Sequence, residues 1–376
     1  MKTTATVLRS MGHTFPFAET EPLERTELEL DAPGPGELLV RVRAAGLCHS
    51  DLSVVTGKRP RVMPMAIGHE AAGEVLETGS ADSPFHTGDH VVLAFVPACG
   101  ECEFCRQGRP ALCEAGAIAN SEGALLGGHH RMHDADGIEV HHHLGVSAFS
   151  DHIVVSEKSA VVVPDDLPYE IAALFGCAVL TGAGAMLNTA AEALPADSVG
   201  IFGLGGVGLA ALIAARSQGA SEIVAVDRVP AKLDLALELG ATIVINASEG
   251  DVPARIKEAT GGGVEVAVET VGHEAVLAEA YAATRRGGMT VTAGLPHPDS
   301  ELKIPALSLV AEERTLKGSY LGSCIPARDI PRFIEMYRAG HLPVDRLLSH
   351  RLTPDQINEG FDRLASGEAV RQVVLF

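Results

Sequence analysis

From Ser198 onward, short runs of apolar and β-branched residues alternate with longer stretches whose apolar positions recur at helical spacing. "SVGIF" opens the series, and helical "GVGLAALIAA", strand-like "SEIVAVD", helical "PAKLDLALELG", strand-like "TIVIN", helical "DVPARIKEAT", strand-like "VEVAVET", helical "EAVLAEAYAATRRG" and strand-like "MTVTAG" follow. Strands separated by helix-length segments predict a parallel sheet with helices on both faces. Residues 1–178 have another texture. Short β-type runs such as "ELLVRVRAAG" and "HVVLAF" are broken by Gly and Pro, with no helical period longer than a few turns. That pattern predicts an irregular, mainly β domain, and no internal repeat is present.

The turn after the first strand of the alternating half carries chemistry. Gly203, Gly205 and Gly208 spell G-x-G-x-x-G, with Gly206 and Val207 inside it, and Asp227 ends the second strand nineteen residues beyond Gly208. Strand, glycines, helix, strand and acid, in that order, make a dinucleotide fingerprint. The glycines allow the turn and the close approach of a pyrophosphate to a helix N-terminus, and the acid accepts ribose hydroxyls. The expected fold class is therefore α/β, a Rossmann doubly wound parallel sheet over 179–321 joined to the mainly β part. Asp227 would accept from the ribose diol and repel a 2′-phosphate, which favours NAD over NADP, although Arg228 and Lys232 could each meet a phosphate.

Composition narrows the function classes. Hydrophobic residues make up 46% and charged residues 21% of the 376 residues, which suits a globular protein of two domains. Net charge is −20, a sign that repels nucleic acid and anionic membrane. The N-terminus has no signal-peptide pattern and no apolar run reaches the roughly 20 residues of a membrane span. A soluble, cytoplasmic protein is expected.

Four of the seven cysteines fall within "CGECEFCRQGRPALC". In a reducing compartment disulfides are not expected. Cys99, Cys102, Cys105 and Cys113, spaced C-x2-C-x2-C-x7-C, instead suit a closed tetrahedral zinc site that holds a loop together; an iron–sulfur cluster is the competing ligand. His129, His130, His133, His141, His142 and His143 form the densest histidine cluster, expected to be an exposed polar loop. Cys324 stands in no motif and is expected to pack.

"GLCHSD" at Gly46–Asp51, "GHEAAGEV" at Gly68–Val75, the four-cysteine loop, "GCAVLTGAGA" at Gly176–Ala185 and "GLGGVG" at Gly203–Gly208 together resemble the zinc-dependent medium-chain alcohol dehydrogenases. The resemblance runs through nearly the whole chain, down to "INEGFDRLASGEAVRQVVLF". It implies a GroES-like catalytic domain made of 1–178 and 322–376, and two zinc ions per chain. Cys48, His69 and Cys177 match the catalytic zinc ligands, which spacing alone does not join. Asp51 and Glu70 match carboxylates behind that metal. The implied reaction is reversible hydride transfer between a primary alcohol or aldehyde and NAD.

The same resemblance assigns further residues. Ser50 matches the hydroxyl that takes the alcohol proton, and Thr181 a residue near the nicotinamide. His49 and Arg371 match basic residues on the pyrophosphate, and Val271 also falls at the cofactor. Ser53 replaces the histidine that hands the proton to solvent in many relatives, so the relay must end elsewhere. Phe95 and Leu144 match apolar pocket positions, whereas Arg59 and His143 stand where relatives often carry apolar residues. A glutathione-adduct substrate would need cationic residues near Ala115–Ile118, and "AGAI" has none. The long segment between Cys113 and Leu144 resembles that of dimeric forms, so a homodimer is expected, with a homotetramer as the alternative. Competing readings are a nicotinoprotein with tightly held NAD and an external electron acceptor, an S-(hydroxymethyl)glutathione dehydrogenase, a zinc-free reductase on the same scaffold, and a non-catalytic zinc-loop interaction module.

Overall fold

The computed structural model describes Met1–Phe376 and divides into two compact units. One comprises Met1–Cys177, Ile325–Pro331 and Leu348–Phe376; the other comprises Ala178–Cys324 and Arg332–Leu347. The chain thus returns to its first unit at the C-terminus. Residues 332–347, expected with the catalytic part, belong instead to the other unit. The division falls at Pro331, inside the helix Pro326–Arg338, where no loop marks a boundary.

The first unit is mainly β. Lys2–Leu8, Leu23–Leu30, Met132–His133, Glu139–His142 and Met65–Ala66 close into a barrel. A seven-stranded sheet runs Ala160–Val162, His90–Leu93, Ala71–Thr78, Glu37–Leu47, Arg371–Leu375, Leu348–Leu352, with His152–Ser156 also paired to Glu37–Leu47. Glu37–Leu47 is central because its residues are buried on both faces, and Leu38, Val40, Val42 and Leu47 join one core with Ile153, Phe149 and Phe361. Its register decides the chemistry: Ala45 pairs with Ala71 and Leu47 with Gln372. That places Cys48, just past one strand, Glu70, just before the next, and Arg371, the first residue of the third, side by side.

The second unit is a six-stranded parallel sheet in the order Ile243–Asn246, Glu222–Asp227, Ser198–Phe202, Val264–Glu269, Thr284–Thr292, Thr315–Gly318. Numbered along the chain this is 3-2-1-4-5-6, the dinucleotide-binding order, whose ligand crevice opens at the C-terminal ends of strands 1 and 4. The expected helices form at Gly206–Ser217, Pro230–Leu239, Val252–Ala259 and Glu274–Ala283. The last is shorter than its pattern predicts, because "TRRG" already belongs to the strand that begins at Thr284. No single helix is long and apolar enough to cross a membrane.

Candidate metal and cofactor sites

Cys48 follows the buried strand Glu37–Leu47 and caps the helix His49–Val55. His69 and Glu70 enter the neighbouring strand, and Gly46 lets them approach: a Cβ there would lie 2.1 Å from Glu70 Oε1. Cys177 follows the tight turn Ala173–Gly176. The structure brings these three distant residues together, with Cys48 Sγ, a ring nitrogen of His69 and Cys177 Sγ all within 4.8 Å of one another and the residues buried. His69 Nε2 is 3.3 Å from Cys177 Sγ, while its Nδ1 donates to Asp51 Oδ1 at 2.8 Å. Asp51 therefore fixes the tautomer that leaves the Nε2 lone pair facing the sulfurs. Its Oδ2 also accepts the backbone N–H of Cys48 at 3.2 Å.

The electrostatics fit a cation. Burial opposes ionisation of Asp51, but the facing imidazole of His69 keeps its carboxyl below the usual range. Burial likewise opposes charge on His69, yet Asp51 and Cys48 raise it well above normal. A hydrogen bond between the two sulfurs lowers the Cys48 thiol and raises that of Cys177. Two thiolates and an imidazole crowded into a buried pocket need a divalent ion to ionise together, and three protein ligands leave a fourth position open.

Glu70 lies behind the sulfurs in a buried ion pair with Arg371, whose Nη1 also donates to Leu47 O at 3.1 Å. Burial pushes Glu70 up to about 7 even with that partner. Arg371, expected on the pyrophosphate, is 4% exposed and braces the metal pocket through Glu70, with its Nε left without a partner. Phe95 meets the His69 ring edge-on at 5.4 Å and His143 does so at 5.5 Å. Leu144 is buried beside His143. Ser50 is half-buried and His49 exposed on the first turn of the following helix, while Arg59 is half-buried just past its end. Ser53 Oγ donates to His49 O at 2.8 Å, so this hydroxyl is occupied by its own helix.

The four-cysteine loop is a second donor set, with all four sulfurs within 4.8 Å of one another. Backbone N–H groups aim at them: Glu101 and Cys102 at Cys99 Sγ (3.4 and 3.3 Å), Cys99 and Gly116 at Cys113 Sγ (both 3.3 Å). Backbone donors bring Cys102 down to about 6, whereas burial pushes Cys105 up to about 12. A closed S4 cage of this kind suits zinc in a structural role. The histidine cluster is not the exposed loop expected of it. His142 and His143 are buried, and His130, His133 and His141 half-buried, because strand alternation in Glu139–His142 turns Val140 and His142 inward. Cys324 is buried with its Sγ 3.3 Å from Leu180 O, consistent with packing.

In the second unit the glycines do what their spacing implies. Gly203 has φ +88°, and a Cβ on Gly208 would lie 1.8 Å from Gly203 O. A Cβ on Gly205, which caps the helix Gly206–Ser217, would meet nothing within 4 Å. Asp227 Oδ2 accepts from Leu204 N at 2.7 Å and Oδ1 from Val229 N at 3.0 Å, leaving further lone pairs for a ribose diol. Lys232 is largely buried, Thr181 is 8% exposed on the helix Ala178–Gly184, and Val271 is 52% exposed beside Gly203. One participant escaped the sequence reading. Glu269, buried at the end of its strand, accepts from Val271 N, Gly272 N and Thr292 Oγ1 at 2.6–2.7 Å and so pins the loop beside the glycines. A lone acid ending the apolar run "VEVAVET" was its only signal.

Two family models cover most of this architecture: the alcohol dehydrogenase GroES-like domain matches residues 34–165 and the zinc-binding dehydrogenase domain residues 206–339. The chain belongs to the zinc-dependent medium-chain alcohol dehydrogenases. As a member of that family it is an oxidoreductase that uses zinc and a nicotinamide cofactor. It is 37% identical to the NDMA-dependent alcohol dehydrogenase of Amycolatopsis methanolica, covering 100% of this chain and 99% of that one. It is 35% identical to the S-(hydroxymethyl)glutathione dehydrogenase of Escherichia coli, covering 96% and 98%. The crystal structure of benzyl alcohol dehydrogenase from Acinetobacter calcoaceticus superposes with a TM-score of 0.92 at 34% identity, covering 100% and 99%.

Proposed function

We propose that this alcohol dehydrogenase oxidises primary alcohols, aliphatic or aromatic, and reduces the matching aldehydes, with NAD as the hydride acceptor. The observation that carries the reading is the buried Cys48–His69–Cys177 set with Asp51 on the far nitrogen of His69. Zinc held there supplies a Lewis acid that lets an alcohol proton leave near neutral pH. The chain supplies the rest. Asp51 orients His69, Phe95 and Leu144 give the surroundings an apolar wall, and Ser50 takes the alcohol proton. With Ser53 engaged by the His49 carbonyl, that proton passes from Ser50 to water. Asp227 selects NAD over NADP. The likeness to benzyl alcohol dehydrogenase favours aromatic alcohols as the first to assay, and the residues "AGAI" keep glutathione adducts below them.

A cytoplasmic homodimer is part of the same proposal. Seven cysteines that form no disulfide suit a reducing compartment. The strand Thr315–Gly318 is paired on one side only. The helix before it, Ala306–Ala311, exposes Leu307 by 77% and Val310 by 80%. An open strand edge with apolar neighbours fits a second copy of this chain.

The test is nicotinamide absorbance with a panel of primary alcohols and either NAD or NADP, before and after chelator treatment. Chelator-sensitive reduction of added NAD supports the reading. No reduction by protein that carries two zinc ions would overturn it in favour of tightly held NAD with an added electron acceptor, a reading favoured by the likeness to the NDMA-dependent enzyme.

A further inference from the structure

Asp51 has two histidine neighbours, and metal ligation accounts for one. Its Oδ1 accepts from His69 Nδ1 at 2.8 Å, and His143 Nδ1 stands 3.1 Å from the same oxygen. The three side chains are 0–1% exposed. His143 Nδ1 makes no hydrogen bond of full geometry, with that oxygen or with any other atom. An ionised carboxylate only accepts. A lone pair on His143 Nδ1 would therefore repel that oxygen, so the proton sits on Nδ1 and a small ring rotation completes the bond. Leaving a buried donor unmade costs about 1–3 kcal/mol, which drives the rotation.

The backbone holds His143 in place for this contact. Its N–H donates to Ser147 Oγ at 3.2 Å, its carbonyl accepts from Val146 N at 3.1 Å, and the next residue, Leu144, is kept at φ +53°. That left-handed conformation is unfavourable for a leucine and persists only where the surroundings impose it.

We propose that His143 is a positioning residue of the metal centre. As second donor to Asp51 it fixes the carboxylate that orients His69, and so slows loss of the ion from Cys48, His69 and Cys177. The proposal rests on the zinc reading of that site. His143 takes no part in ligation or hydride transfer; it acts through Asp51.

Zinc release from the holoprotein into excess of a chromogenic chelator tests it, in wild type and in His143→Leu, His143→Phe and His143→Asn. Leucine and asparagine are close in size but only asparagine keeps a donor, and phenylalanine keeps the ring contact with His69 without one. The expected result is release of one of the two ions about ten-fold faster in His143→Leu and His143→Phe, with His143→Asn near wild type and the other ion unchanged throughout. Cobalt substituted at the faster site should show shifted visible bands in the first two variants alone. Equal release in wild type and His143→Phe would overturn the proposal, as would His143→Asn releasing as fast as His143→Phe. If one variant fails to fold, the remaining pair still separates donor from shape. Wild type that releases one ion only would instead overturn the zinc reading of the site, and this proposal with it.

Discussion

The Glu70 carboxylate and the Arg371 guanidinium, 301 residues apart in the chain, form a buried ion pair beside the sulfurs of Cys48 and Cys177. Replacing one member strands the other's charge in the interior, which costs about 3–5 kcal/mol. Arg371→Leu should therefore destabilise the protein by that amount in urea unfolding. The double variant Glu70→Leu/Arg371→Leu should recover part of the loss. A single variant as stable as wild type would show that water reaches the pair.

The glycine turn offers a separation of folding from binding. Gly208→Ala drives a methyl group into Gly203 O and should lower thermal stability as well as cofactor affinity. Gly205→Ala meets nothing in the protein, and its φ of −78° suits alanine. It should melt with wild type yet bind NAD about ten-fold more weakly, because the methyl group occupies the approach of the pyrophosphate. Calorimetric titration against thermal melts reads both.

In the function proposed above, cofactor choice turns on Asp227. Asp227→Ala removes the acceptor for the ribose diol and the charge that repels a 2′-phosphate. The ratio of kcat/KM for NAD to that for NADP should fall at least about ten-fold. An unchanged ratio would move the selectivity elsewhere, with Arg228 and Lys232 the next candidates.

The two donor sets should fail differently. Cys102→Ala opens the closed loop and should cost one zinc together with thermal stability, since the binding energy of a structural ion is folding energy. Cys48→Ala should cost the other zinc and turnover while leaving the melting temperature within a few degrees. Metal analysis beside a melting curve distinguishes these outcomes.

Burial, with His130, His141, Arg131 and His133 nearby, holds His142 down to about 3 from its ordinary 6.5. Its Nε2 accepts the N–H of Arg131 at 3.1 Å, a bond only the unprotonated nitrogen can make. Between those two values the unfolded chain binds a proton that the native chain does not. Stability therefore falls as pH drops from 6.5 toward 3, by about 1.4 kcal/mol per unit from this group. His142→Gln keeps an acceptor without titrating and should flatten that slope in unfolding curves taken from pH 7 to 4.

The parts that were legible in the sequence are those whose information is local. The strand–glycine–helix–strand unit ending at Asp227 and the four-cysteine loop each lie within one short segment, and both take the predicted form. The Cys48–His69–Cys177 set was visible only through resemblance, because strand register brings its members together and spacing does not encode it. The contact of Arg371 with Glu70 was hidden for the same reason: strand register, through the pairing of Gln372 with Leu47, brings it there. The histidine cluster was misread because polarity outweighed the two-residue period that buries His142. The change of unit at Pro331 had no loop to announce it.

The two sulfur-containing centres also differ in when they can exist. All four thiols of the closed loop lie between Cys99 and Cys113, so that cage can form around its ion while the ribosome is still making the chain. The other centre waits for Cys177, and closing that much longer loop costs more chain entropy. Metal supply during synthesis and metal supply to the finished protein should therefore fill different sites, so that a cell short of zinc late in maturation would accumulate enzyme that is folded and inert.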